Sequence, residues 1–160
     1  MNRNPLVSIP IITYNSASYI LDGLESIKEQ TYKNIEIIIS DDCSTDQTIE
    51  ICQNWIDVNQ HLFERAIIVT SEINTGVAGN LNRAIRECKG EWIRCLSGDD
   101  RFYPNTISDY VDFVKANTNI NICFGKLKFI HQHSKLNETI INNYRKHFEE
   151  IKNQRKQYIR

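Results

Sequence analysis

Short apolar runs alternate with amphipathic stretches along most of the chain, and this alternation restricts the fold more than any other feature. The runs cover residues 6–12, 35–40, 66–71 and 91–97, and a fifth candidate strand covers 120–130. Continuous apolar runs of this length are typical of strands that are buried on both faces of a parallel sheet. Strands that alternate with helices favour an α/β fold. We therefore predict a three-layer α/β sandwich with a central, mostly parallel sheet.

The stretches between these runs have apolar residues at helical spacing. The predicted buried stripes are Ile20, Leu24 and Ile27, then Ile49, Cys52, Trp55 and Ile56, then Val77, Leu81 and Ile85, and finally Ile107, Val111 and Val114. Residues 14–16 have side chains that can cap the first helix, and residues 44–47 have the form of a capping box for the second. Gly90 is the expected stop of the third helix, and Pro104 marks the start of the fourth.

Length and charge limit the class of protein. A chain of 160 residues favours one domain, so we expect residues 1–160 to form a single one. The formal net charge of −1 gives no general attraction to nucleic acid. The apolar runs are too short to cross a bilayer, and the first ten residues do not resemble a secretory signal. Five cysteines without a CxxC pair are typical of free thiols, and we expect a cytoplasmic location.

Two pairs of adjacent carboxylates follow two of the predicted strands. Asp41 and Asp42 end the second run, and Asp99 and Asp100 follow the fourth. Ligands of parallel α/β sheets bind outside the carboxyl ends of the strands. Neighbouring carboxylates repel each other, and Mg²⁺ or Mn²⁺ is typically held by one or two carboxylates together with substrate phosphates. Spacing alone also allows solvated loops whose aspartates cap helices.

Motifs of other phosphate-binding folds are absent from the sequence. There is no GxxxxGK[ST], which excludes a P-loop, and no GxGxxG follows the first strand, which argues against a dinucleotide dehydrogenase.

Five motifs, in order, resemble one known family. They are VSIPIITYN (7–15), QTYKNIEIIISDDCSTDQT (30–48), NTGVAGNLNRAI (74–85), KGEWIRCLSGDD (89–100) and Pro104-Asn105. Together they resemble the N-terminal, nucleotide-sugar-binding part of inverting family 2 glycosyltransferases with the GT-A fold. The resemblance covers residues 6 to 117. It implies transfer of a sugar from a nucleoside-diphosphate sugar, with UDP favoured, to an acceptor hydroxyl with inversion, in surface or extracellular polysaccharide biosynthesis. A non-catalytic nucleotide-binding or interaction module that retains the fold is the alternative.

The resemblance also implies site residues. The nucleotide-binding set is Thr13, Tyr14, Asn15, Asp41, Asn80, Arg83 and Asp99, and the metal ligands for Mn²⁺ or Mg²⁺ are Asp100 and Asp99. By this resemblance Tyr14 stacks on the base and Asp41 accepts a hydrogen bond from a base ring N–H, whereas Asp42 orders its loop or caps the following helix. Tyr14 could instead pack at the start of the first helix.

Many members of the family have an arginine at the position of Leu81, and this chain lacks it. Arg83 is therefore a candidate to contact the diphosphate in its place. A solvent-facing helix arginine is the alternative. Many members also have an aspartate at the position of Ser97, so this chain keeps only the last two acids of a DxDD string. Only 60 residues follow Asp100, and no general base is identifiable among them. We therefore expect a truncated chain that binds the donor and is weakly active or inactive alone.

Residues 137–160 are predicted to form a basic C-terminal helix. The segment has an apolar stripe, and lysines and arginines outnumber its acidic residues towards the end. Such a helix can pack on a protein domain or lie on a membrane surface. A glycan or lipid-linked acceptor is the second expected partner, which keeps peripheral contact with the inner membrane face open.

Overall fold

The computed structural model describes residues 4–125 and Lys146. The strands are β1 (Val7–Thr13), β2 (Ile35–Asp41), β3 (Arg65–Thr70), β4 (Trp92–Ile93) and β5 (Leu96–Ser97). The α-helices are α1 (Ile20–Lys28), α2 (Thr48–Asn59), α3 (Gly76–Arg86) and α4 (Thr106–Ala116), and a 3₁₀ turn covers Gln60–Leu62. All these elements belong to one compact unit, Met1–Cys123, and Phe124–Arg160 form a second unit.

The strands form one sheet in the order β3-β2-β1-β4, and β5 also pairs with β1. Every pairing between the described strands is parallel. Thr13 is paired with Asp41, and Asp41 with Thr70, so the carboxyl ends of these strands lie side by side. The predicted α/β architecture with a parallel sheet is confirmed.

The core forms around the two central strands. All seven residues of β2 are buried, and β1 is buried except at Ile12. Strands covered by helices on both faces lose contact with water on both sides, which explains their continuous apolar sequences. The helices α1 and α2 pack against each other, and α3 packs against β1 and β2. Strand β3, at the edge of the sheet, is only half-buried.

The predicted apolar stripe of α3 is wrong. Val77 is 72% exposed and Ile85 is also exposed, whereas the buried residues of this helix are Asn80 and Ala84. Asn80 donates a hydrogen bond from Nδ2 to the carbonyl oxygen of Thr13, at 3.1 Å. The need to bind that carbonyl therefore turns a polar residue towards the sheet, and helical periodicity of apolar residues cannot reveal such a rotation. The stripe predicted for α4 is confirmed, because Ile107, Val111 and Val114 are buried.

Both predicted helix starts are corrected. The first helix begins at Ile20 rather than after residues 14–16, and the carbonyl of Ser16 accepts the backbone N–H of Ile20. Residues 44–47 do not form a capping box, since α2 begins at Thr48 and Asp46 accepts the backbone N–H of Thr48 at 3.0 Å. Side chains also join the two loops, because Asn15 accepts the backbone N–H of Thr45 and Asp46 accepts that of Ala17.

The remaining elements differ in detail from the sequence interpretation. The predicted strand 91–97 is interrupted at residues 94–95, and the third helix ends at Arg86, before Gly90. Residues 120–125 of the predicted fifth strand have no strand structure, and residues 126–130 lie outside the described part. The predicted helix 137–160 also lies outside it, except for Lys146, which is helical and exposed. All five cysteines are free, as predicted.

Candidate functional site

Three loops meet at the carboxyl edge of the sheet, following β1, β2 and β5. The backbone N–H of Asp42 donates to the carbonyl of Thr13 at 3.0 Å, and that of Gly98 donates to the carbonyl of Ile12 at 2.9 Å. A Cβ atom on Gly98 would lie 3.1 Å from the hydroxyl oxygen of Thr13. The glycine therefore allows the loop of Asp99 and Asp100 to approach the end of β1.

The carboxylate of Asp42 is saturated by protein donors. It accepts hydrogen bonds from the backbone and hydroxyl of Thr75 at 2.7 and 2.6 Å, from the backbone of Gly76 at 2.7 Å, and from Nη2 of Arg83 at 2.7 Å. Burial alone would raise the pKa of Asp42, but the hydrogen bonds from Thr75 and Gly76 and the Arg83 charge outweigh burial and lower it. Asp42 thus fixes the start of α3, whereas the sequence interpretation expected it to order its own loop or to cap the following helix, α2.

Arg83 pairs with protein groups in this structure. Its guanidinium pairs with Asp42 and also donates to the hydroxyl of Ser40 at 3.2 Å and to Oδ1 of Asn80 at 3.3 Å. The side chain therefore holds α3 against the end of β2, and it is not a helix arginine that faces solvent freely. A contact from Arg83 to the diphosphate stays a prediction.

Asp41 is almost completely buried, at 1% exposed. Its two carboxylate oxygens accept the backbone N–H of Ser44 at 2.8 Å and the hydroxyl of Ser44 at 2.5 Å. A carboxylate has about four acceptor positions, so each oxygen keeps capacity for one more donor. The predicted hydrogen bond from a base ring to Asp41 therefore stays a prediction.

Asn15 joins the loop after β1 to the loop after β2. Its Oδ1 accepts the backbone N–H of Thr45 at 2.9 Å, and its own N–H donates to the hydroxyl of Ser44 at 2.8 Å. Asn15 and Cys43 both have positive φ, at 48° and 70°. Residues in the left-handed region are uncommon outside glycine and are found preferentially at ligand sites. Two such residues in neighbouring loops mark this edge as locally strained.

Thr13 and Tyr14 offer free groups at the same edge. The Thr13 hydroxyl is buried and has no hydrogen-bond partner among the described residues. A buried polar atom without a partner is costly, and such atoms are often satisfied by a ligand or by water. Tyr14 is 50% exposed and lies outside α1, so it does not pack at a helix start. Both positions suit the predicted nucleotide contacts.

Asp99 and Asp100 differ from the first acidic pair. Both residues are exposed, and within residues 4–125 neither carboxylate is hydrogen-bonded or paired with a cation. Partial burial raises the pKa of Asp100 above its ordinary value, the charge of Asp99 raises it further, and Arg94 opposes both. The Arg94 guanidinium lies 5.3 Å from the centre of the Phe102 ring.

The pair fits a divalent cation that is bound jointly with a diphosphate. Two mutually repelling carboxylates without protein donors provide the hard oxygen ligands that Mg²⁺ and Mn²⁺ prefer. Among the described residues there is no cluster of three or more potential protein ligands. Substrate oxygens and water would therefore complete the coordination shell.

The predicted residues thus lie at one edge of the sheet, but they differ in whether their polar groups already have protein partners. Asn15, Asp41, Asn80 and Arg83 have protein partners, whereas Thr13, Tyr14, Asp99 and Asp100 have groups available to a ligand. The sequence interpretation missed Asp46, whose carboxylate accepts the backbone N–H of Ala17 at 3.1 Å and the hydroxyl of Thr48 at 2.5 Å. An Asp two residues before a Thr at a helix start is a signal that could have identified it.

The parallel α/β sheet is that of glycosyltransferases with the GT-A fold, whose solved structures are similar to the chain, and here a pair of carboxylates follows β5. The family model for glycosyl transferase family 2 matches residues 8–159. The chain belongs to this family.

Relatives and solved structures agree with this assignment. WfaP of Escherichia coli, a UDP-Glc:α-D-GlcNAc-diphosphoundecaprenol β-1,3-glucosyltransferase, is 40% identical over 111 residues, which cover 69% of this chain and 42% of WfaP. The structure of S. aureus TarS 1–349 in complex with UDP has a TM-score of 0.63 and 28% identity, over 71% of this chain and 33% of that one. The mannosyltransferase PcManGT of Pyrobaculum calidifontis, in complex with GDP-Man and Mn²⁺, has a TM-score of 0.66 and 28% identity over the same shares.

The chain spans less than half the length of these proteins. Within the described part of the chain, no helix has both the length and the apolar character needed to cross a membrane.

Proposed function

We propose that this chain binds the donor of a sugar transfer, a nucleoside-diphosphate sugar with UDP favoured, together with Mn²⁺ or Mg²⁺, in a metal-dependent glycosyltransferase of polysaccharide biosynthesis. The observation that carries the proposal is the contrast between the unpaired carboxylates of Asp99 and Asp100 and the hydrogen-bonded residues around them. The unpartnered hydroxyl of Thr13 and the exposed ring of Tyr14 add a polar and an aromatic contact at the same edge.

The choice of UDP rests on the relatives. WfaP is named for UDP-Glc, and TarS has been solved with UDP and with UDP-GlcNAc. PcManGT was solved with GDP-Man, so the fold itself accepts a second nucleotide. In the proposed complex Tyr14 stacks on the base, because aromatic faces are suited to such contacts. Asp41 accepts a base N–H with its remaining acceptor capacity.

The proposed chemistry is transfer with inversion at the anomeric carbon. The acceptor hydroxyl forms the new bond from the face opposite the leaving diphosphate, through an oxocarbenium-like transition state. Asp100 and Asp99 would hold the divalent ion, which neutralises the charge that develops on the diphosphate. A general base must remove the proton of the acceptor hydroxyl. No residue of this chain is identifiable as that base, and we propose that residues 1–160 bind the donor but transfer sugar weakly or not at all alone.

The acceptor and the location are proposed from the same relatives. WfaP acts on a sugar attached to diphosphoundecaprenol, which supports a lipid-linked or glycan acceptor. Such an acceptor suits a cytoplasmic enzyme that contacts the inner membrane face. Residues 137–160, which combine basic and apolar residues, are the segment proposed for that contact.

A thermal-shift panel of UDP, GDP, CDP and their common sugar conjugates, each with and without Mn²⁺, tests the donor site. A ligand at 100 times its Kd stabilises the folded state by about 2.7 kcal/mol. We expect the largest shift with UDP or a UDP-sugar in the presence of Mn²⁺, and its loss in Asp100→Asn. An unchanged melting temperature with every nucleotide would contradict the proposal and support a module that retains only the fold.

A further inference from the structure

We propose that Ser26, on helix α1, and Gln30, two residues after the end of that helix, are positioning residues for the metal site. They bind the backbone of residues 102–107 and thereby set where the Asp99–Asp100 loop lies. This inference rests on the proposed function, because a position for Asp100 matters only if its carboxylate binds a cation. Neither side chain touches the proposed ligands, so both act through the loop.

Ser26 binds the loop directly after the acidic pair. Its side chain is buried, and its oxygen accepts the backbone N–H of Phe102 at 3.0 Å. The same hydroxyl donates to the carbonyl of Gly23 at 2.7 Å. That second bond fixes the hydrogen of the hydroxyl, so a lone pair is directed at the loop. The N–H of Phe102, two residues after Asp100, is therefore held at a defined point on α1.

Gln30 binds the next part of the loop and the start of α4. It is fully buried, and its amide nitrogen donates to the carbonyls of Ser26 and Tyr103, both at 2.8 Å. Its amide oxygen accepts the backbone N–H of Ile107 at 3.0 Å. All three bonds go to backbone atoms. One buried side chain thus connects the end of α1, the loop and the first turn of α4.

The bond to Ile107 replaces an ordinary helix cap. The first N–H groups of a helix have no partner within the helix. Asn105, the N-cap residue of α4, makes no side-chain capping bond. Gln30, just after α1, supplies an acceptor instead, and its own bond to the carbonyl of Ser26 ties the position of α4 to α1. The neighbouring Thr31 reinforces this connection, because its backbone N–H donates to the carbonyl of Pro104 at 2.9 Å.

The contact between α1 and the loop extends to Asp100 itself. A Cβ atom built on Gly23 would lie 2.9 Å from the backbone carbonyl oxygen of Asp100. That separation is shorter than any normal contact of a Cβ atom, so an alanine at this position would displace the Asp100 backbone. Loss of the Gln30 bonds and addition of a methyl group at Gly23 therefore perturb the loop of residues 99–107 at two different points.

The experiment measures loop order and metal binding separately. In Gln30→Leu, amide hydrogen exchange of Ile107 is expected to accelerate, and the gain in UDP affinity on adding Mn²⁺ is expected to fall about 10-fold or more, as for other residues that orient metal ligands. UDP affinity without metal is expected to stay within about twofold, because the base contacts are untouched. Gly23→Ala, which removes no hydrogen bond, is expected to lower the same Mn²⁺-dependent gain and keeps the test available if Gln30→Leu does not fold.

The matched control is Asn59→Ala on α2. It removes a buried amide that donates to the carbonyl of Trp55 at 2.8 Å, far along the chain from the loop. This variant is expected to lower thermal stability but to keep the full Mn²⁺-dependent gain. If Gln30→Leu and Gly23→Ala also keep that gain, the positioning role is wrong and the proposed function stands. If the wild-type chain shows no Mn²⁺-dependent nucleotide binding, the proposed function fails and the positioning role fails with it.

Discussion

The two acidic pairs at the carboxyl edge of the sheet have the same sequence, Asp-Asp, but opposite surroundings. Asp41 and Asp42 are buried, and every carboxylate oxygen of this pair accepts at least one hydrogen bond from the protein. Asp99 and Asp100 are exposed, and within residues 4–125 their carboxylates bind no protein donor. The first pair therefore organises the site, and the second is available to a cation.

The two pairs have the same sequence, so the hydrogen-bond donors around each pair, and not the Asp-Asp spacing, decide its role. The Asp41–Asp42 loop is surrounded by the hydroxyls and N–H groups of Ser44, Thr75 and Gly76 and by the Arg83 guanidinium. The Asp99–Asp100 loop is held through its backbone, by Ser26 and Gln30. Fixing the backbone leaves the carboxylates free, which is what a site for a cation and a diphosphate requires.

The largest effect is expected from removing the carboxylate of Asp42. Asp42→Ala leaves the Arg83 guanidinium and the N–H groups of Thr75 and Gly76 without their acceptor. Loss of one partner of a largely buried ion pair costs about 3 kcal/mol in unfolding free energy. Chemical denaturation measures this loss. An unfolding free energy equal to that of the wild type would show that the pair has no structural role.

Asp100→Asn is expected to have the reverse effect. The unfolding free energy should change by less than about 0.5 kcal/mol, because the carboxylate has no protein partner to lose. The Mn²⁺-dependent gain in UDP affinity should fall by about 10-fold or more, since a neutral amide is a weaker ligand for a hard cation. Calorimetric titration of UDP with and without Mn²⁺ measures the gain. A large loss of stability without a loss of metal dependence would make the two pairs equivalent.

Stability is expected to depend on Asp42 at low pH. Its pKa is lowered in the folded state, so the unfolded state binds protons more readily than the folded state as the pH falls. The stabilising contribution is complete above the unfolded pKa of about 3.9 and is lost as the pH falls through the folded value. Urea denaturation from pH 7 to pH 2 should show a decline that Asp42→Asn reduces. An identical decline in that variant would assign the acid sensitivity elsewhere, with Asp46, whose pKa is also lowered, as the first alternative.

The smallest effect is expected at Cys43, in the loop that follows β2. Its φ of 70° lies in the left-handed region, which costs an L-residue about 1–2 kcal/mol. Cys43→Gly removes this cost but loses chain entropy on folding, so a net gain of about 0.5 kcal/mol is expected. Cys43→Ala, which keeps a Cβ atom, is the matched control and should give no gain. Equal stability of the glycine and alanine variants would show that the backbone there is unstrained.

The sequence was sufficient for the architecture, because buried parallel strands leave continuous apolar runs such as those of β1 and β2. The sequence also predicted that the loops after the strands lie at one edge of the sheet, since ligand sites of parallel sheets lie at the carboxyl ends of the strands. It could not give the orientation of α3, because Asn80 is buried for one hydrogen bond to Thr13 that no periodicity encodes.

The sequence showed both acidic pairs but not the hydrogen-bond donors that give them different roles. Asp42 was expected to order its own loop or to cap the following helix, but the donors that bind its carboxylate come from residues 75–83, far along the chain. Gln30 and Asp100 are likewise distant in sequence and are connected only through the backbone of a loop. Such contacts between separate elements follow from the packed structure alone.

The most direct test of this account is a Mn²⁺ titration followed by electron paramagnetic resonance, with and without UDP, on the wild-type chain and on Asp100→Asn. We expect the wild type to bind Mn²⁺ more tightly when UDP is present. We expect Asp100→Asn to remain folded but to bind Mn²⁺ equally with and without UDP. Equal Mn²⁺ binding by both proteins, or no effect of UDP in the wild type, would contradict the assignment of Asp99 and Asp100 as the metal-dependent donor site.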